Sequence, residues 1–161
     1  MGGGQDACRC YNRAMHRFRY RTASVETHAH HEISLANVSG IVTPDTLRLI
    51  IADSTQWAGG SGHLAHVVDY GGATMALNLG QMLEMARAAK RADAINATPA
   101  ALIVSADQVS LFESYTAVMQ RLGFSMAAFT GADEGRRWAA RQALVREHWR
   151  GLRAGLRLSA P

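Results

Sequence analysis

Two periods of apolar spacing succeed one another along the chain. Over residues 33–42 apolar and polar side chains alternate, with Ile33, Leu35 and Asn37 on one side and Ser34, Ala36 and Val38 on the other, which predicts a strand. Residues 15–24 alternate in the same way, with arginines on one face, and predict an opening strand. Residues 64–70, 100–104 and 124–129 are short apolar runs bounded by turn residues, the pattern of buried strands. Between these runs the spacing lengthens to that of helices. Leu47, Ile50, Ile51 and Trp57 form one apolar face, and Leu79, Met82, Leu83, Met85, Ala86 and Ala89 a second. Val109, Phe112, Tyr115, Met119 and Leu122 form a third, and Trp138, Val145 and Trp149 a fourth.

The punctuation supports this division. Thr43 can cap free N–H groups, Pro44 fits the first helical position, and Asp45 suits the positive end of the helix dipole. Asn78 with Gln81, and Ser105 with Gln108, read as capping boxes, and Thr130-Gly131-Ala132-Asp133 opens the last helix. Gly59-Gly60-Ser61-Gly62 is expected to stop the first helix near Ala58 and form a loop, and Gly71-Gly72 to break the strand after Tyr70. Strands that each lead into a capped helix favour parallel or mixed pairing with crossover helices, hence an α/β domain.

The succession Gly40-Ile41-Val42, Thr43-Pro44, Val67-Val68-Asp69-Tyr70, Ala101-Leu102-Ile103-Val104, Phe112 with Tyr115, Leu122-Gly123, Ala128-Phe129 and Arg137-Trp138-Ala139 resembles bacterial STAS-like proteins. These relate to the STAS domain of anti-sigma-factor antagonists and resemble the CRAL-TRIO lipid carriers. The resemblance covers residues 33–140 and implies a single domain with a mixed sheet of four or five strands flanked by helices, acting as a non-enzymatic regulatory module. It places partner binding near the strand-to-helix corner 69–80, on Asp69, Asn78, Leu79 and Gly80. Regulatory members are switched by phosphorylation of a serine or threonine at that helix start. Here the position is Asn78, which has no hydroxyl, and Thr74 is the nearest substitute.

Length and composition bound the alternatives. A chain of 161 residues is one domain by size, expected here as a flexible tail over 1–14, a domain over 15–150 and a basic tail over 151–161. Residues 1–21 carry five arginines against Asp6, residues 136–161 seven arginines against Glu147, and residues 22–135 eleven acids against five basic groups. Arginine-rich ends on an acidic middle would serve an acidic protein partner, a second copy of the chain or, less readily, nucleic acid. No apolar run reaches about 18 residues, so no transmembrane segment is expected. The opening residues lack a secretory signal, and the expected location is the cytoplasm.

Catalytic and cofactor motifs are missing from the sequence. Cys8 and Cys10 are too close to staple a fold, and with His16 alone nearby they make an incomplete metal set. His28 and His30 would share one face of a strand with Glu32 but lack a fourth ligand, so no metal is expected. Ser105 has no nucleophile elbow around it, Asp107 and Glu113 fall on different helix faces, and 59–62 is not a phosphate loop. Methionines 75, 82, 85, 119 and 126 read as core, with a lipid-sized cavity as the alternative that the CRAL-TRIO resemblance suggests.

Overall fold

Among the described residues, alternating short and helical periods resolve into six strands and four helices: β1 (His16–Arg19), β2 (Ala23–His30), β3 (Ile33–Val42), α1 (Pro44–Ser61), β4 (Ala65–Met75), α2 (Leu79–Arg91), β5 (Ala100–Ile103), α3 (Val109–Arg121), β6 (Met126–Phe129) and α4 (Ala132–Leu158). This computed structural model describes residues 15–30, 32–91 and 98–158. The expected tail at 1–14, with Cys8 and Cys10, lies outside them.

The strands lie side by side in chain order. β1, β2 and β3 pair antiparallel, and β3 to β6 pair parallel. A parallel neighbour requires a crossover, and crossovers of one hand stepping in one direction put their helices on one face. Accordingly α1, α2 and α3 pack through Leu47, Ile50, Met82, Met85, Phe112, Tyr115 and Met119 against Val25, Val38, Tyr70 and Leu102. Among the described residues the other face is covered by α4 alone, through Ala139 and Ala143 on Leu64, Val67, Ala101 and Ile103.

Three expectations change. The alternation at 15–24 is interrupted: β1 and β2 form a hairpin across Tyr20–Thr22, so the mixed sheet has six strands instead of four or five. α1 runs through Gly59 and Gly60 and stops at Gly62, whose left-handed backbone (φ 69°) needs no Cβ. α4 extends to Leu158. Gly71-Gly72 does not end β4, which continues to Met75.

The glycine pair instead forms a bulge. Asn37 pairs with Asp69 and Ser39 with Gly72, so Val38 faces two residues of β4, Tyr70 and Gly71. The extra residue resets the alternation, and Tyr70 and Ala73 both reach the same core. Gly40 beside it has φ 90°, and a Cβ there would lie 2.5 Å from the Thr22 carbonyl oxygen. That carbonyl also accepts the Ile41 N–H, and the hairpin turn closes over β3 at a glycine for this reason.

Candidate docking site

The 69–80 corner divides into two places. Asp69 sits at the bulge on the α4 side of the sheet, where Gly71 N–H donates to its Oδ1 at 2.8 Å. A Cβ on Gly71 would stand 3.0 Å from that oxygen, so aspartate and glycine are fitted to one another. The carboxylate ends a polar row crossing four strands, Arg17–Glu26–Asn37–Asp69 in register, with Arg17 ion-paired to Glu26. Arg136, near the start of α4, joins Asn37 and Asp69 around a cleft of about 10 Å³, room for one water.

Asn78, Leu79 and Gly80 lie beyond the end of the strand. At about 3.3 Å per residue, Asp69 is roughly 15–20 Å down β4 from Met75. The capping box expected at Asn78 forms completely: Gln81 N–H donates to Asn78 Oδ1 at 3.0 Å, and Asn78 N–H donates to Gln81 Oε1 at 2.9 Å. A Cβ on Gly80 would crowd that Oδ1 at 3.2 Å, and the glycine leaves the cap room. Leu79 packs half-buried on the core with Met75 and Leu77. Asp, Glu, Lys, Arg and His are all missing from residues 70–83, and the first turn of α2 has no acid, whereas α1 and α4 have Asp45 and Asp133 with Glu134 there. The mouth of α2 is thus exposed, capped by amides and uncharged.

Ser105 and Gln108 behave differently from the box expected there. Ser105 N–H donates to Gln108 Oε1 at 3.2 Å, but no side chain caps α3. The Gln108 amide is buried and donates from Nε2 to the Ala73 carbonyl at 2.6 Å, tying α3 to β4 just past the bulge. Thr74 is exposed within β4, opposite Ile41, and not at a helix start. Asp107 and Glu113 are both exposed. His28 and His30 share a face of β2, and no group of three or more His, Cys, Asp or Glu able to hold a metal occurs among the described residues.

A cluster that sequence reasoning missed lies at the opposite edge of the sheet. Buried Ser34 on β3 and His66 on β4 are hydrogen-bonded through Oγ and Nδ1. Burial, then the positive fields of His63 and Arg146, lower His66 to about 4, so it is neutral at pH 7. Burial also lowers His63. Burial and Arg150 lower Arg146, whose Nη1 is buried without a hydrogen-bond partner among the described residues. A histidine inside the apolar run 64–70 was the available signal.

No family model matches the sequence, and no curated protein matches it. The fold does have a solved counterpart: the chain is similar to the crystal structure of an anti-sigma factor antagonist from Mycobacterium paratuberculosis. The TM-score is 0.53 at 13% identity, over 74% of this chain and 95% of that one. The α/β order read as STAS-like is therefore the fold that this chain adopts. No helix among the described residues is long and apolar enough to cross a membrane.

Proposed function

We propose that the protein is a non-enzymatic, cytoplasmic regulatory module of STAS type that docks a protein of the anti-sigma kind at the mouth of α2. The observation carrying this reading is the exposed, uncharged Asn78–Leu79–Gly80 mouth, on a fold similar to an anti-sigma factor antagonist. A neutral mouth presents the positive end of the helix dipole and half-exposed leucines to a partner without repelling either sign of charge. Asp69 supports the corner from below by fixing the bulge that aims the end of β4.

Asn78 gives this surface a fixed state. Its amide can neither accept a phosphoryl group nor change charge near pH 7, so docking is constitutive at this position. Binding of a candidate anti-sigma protein, measured by calorimetry with wild type and Asn78→Arg, tests the assignment. Arginine would lose the cap acceptor and place a cation against the positive helix end. At least about ten-fold weaker binding is expected, and equal affinity with an intact fold removes the mouth from the interface.

A further inference from the structure

The second half of α4 leaves the sheet. At about 1.5 Å per residue its 27 residues span roughly 40 Å, three times the length of four-residue β5 or β6. Its sheet-facing line is small and buried (Gly135, Ala139, Ala143), and from Glu147 to Gly151 every residue is exposed. Leu144, Val145 and Trp149, at 64%, 52% and 59% exposure, are three of the six large apolar side chains that the described residues expose. None of them packs on either core.

The geometry points to this half-helix as a binding surface for an anionic phospholipid bilayer. At about 100° per residue, Leu144 and Trp149 bound an arc of roughly 140° that also holds Val145, Arg141 and His148. Half-buried Arg146 lies roughly 60° beyond Trp149, and exposed Arg150 lies on the opposite side of the helix from the arc. Glu147, the sole acid of residues 136–161, lies roughly 60° outside the arc on the Leu144 side. Apolar residues that include a tryptophan, with Arg141 among them, suit the interface of a bilayer, where aliphatic groups enter the acyl boundary and the long arginine stem carries its guanidinium group to headgroup phosphates. A nucleic acid would answer the arginines and leave Leu144 and Val145 uncovered. A single acidic helix would contact a narrower stripe than this arc.

The surface is at the N-terminal edge of the parallel strands, since α4 starts at their C-terminal edge and reaches Arg146 beside His63 and His66. The mouth of α2 is at the opposite edge and would face away from the bilayer, so the proposal is independent of that docking site. Co-sedimentation of the full chain with vesicles of pure phosphatidylcholine, and of phosphatidylcholine with roughly one-third phosphatidylserine, tests it. Binding is expected on the anionic vesicles and to be about ten-fold weaker for Arg141→Glu and for Val145→Ser with Trp149→Ser, all at exposed sites. No binding to the anionic vesicles, or binding that neither variant weakens, overturns it. A chain that ignores the vesicles but binds a DNA oligonucleotide, or dimerises through Val145 and Trp149, overturns it as well.

Discussion

The two faces of the sheet are covered by opposite means. Three helices cover one face with bulk: Phe112, Met82 and Met119 are among the largest fully buried side chains, and Tyr70 stacks at a tilt on Phe112 with ring centroids 5.2 Å apart. One helix covers the other by close approach, bringing Gly135, Ala139 and Ala143 onto β4 and β5. The difference lies in how far each helix axis stands from the strands. A bulky face needs a helix for each interval between strands, whereas a helix lined with small residues reaches several strands at once. The large apolar residues of α4 are therefore not needed for the sheet, and Leu144, Val145 and Trp149 are exposed as a result.

Opposite volume changes should break the two faces. Phe112→Ala leaves a cavity among Tyr70, Tyr115 and Met119 and is expected to cost about 3–5 kcal/mol in urea unfolding. Gly135→Ala adds only a methyl group, but that Cβ would lie 2.2 Å from Ile103 Cδ1 and 3.3 Å from Phe129. Alanine in an exposed helix would gain about 1 kcal/mol over glycine, yet here a net loss of about 1–2 kcal/mol is expected from overpacking. Adding Ile103→Val removes the clashing Cδ1 and should recover part of that loss. A stabilised Gly135→Ala protein would show that α4 does not lie close.

Where the two faces meet, at the N-terminal edge, acid should loosen the fold. His66 has a folded pKa of about 4 against about 6.5 unfolded, so the unfolded chain binds the proton first. Its contribution is complete above about pH 6.5 and is lost as the pH falls through about 4, at most about 3 kcal/mol. His63 is shifted in the same direction and adds to the slope. Urea midpoints of the wild type should be flat near pH 7–8 and fall between pH 6.5 and 4. His66→Gln should flatten that fall, and an unchanged slope would contradict the burial of His66.

These differences track what local sequence can encode. The strand at 33–42 and the caps at Thr43 and Asn78 were legible because the residues that make them are neighbours in the chain. The β1–β2 hairpin was not, because Tyr20-Arg21-Thr22 contains no turn residue and the permissive glycine, Gly40, sits on the strand beside it. Gly71-Gly72 reads as a break from one strand alone and becomes a bulge only when β3 supplies the register. For the same reason Asp69 and Asn78, nine positions apart, looked like one corner: a strand ending at Tyr70 would have brought them together. The neutral His66 depends on burial and on Arg146 from α4, and its hydrogen bond on Ser34 from a different strand, and no spacing within 64–70 reveals either.

The smallest expected effect concerns α2, which belongs to the bulky face and is held there by Met82, Met85 and Ala86. Because that packing fixes the helix, its cap should affect only the first turn. Asn78→Ala removes the acceptor of the Gln81 N–H and is expected to cost about 1 kcal/mol. Asn78→Asp keeps the acceptor, and its negative charge meets the positive end of a helix with no acid in its first turn, so stability should be equal or up to about 0.5 kcal/mol higher. The pair thus separates the hydrogen bond from the charge. When either variant is combined with Gly135→Ala, the effects on the global unfolding free energy should sum to within about 0.5 kcal/mol. Non-additive losses would mean that the two faces are coupled through the sheet, and that the cap at the mouth of α2 senses how closely α4 approaches.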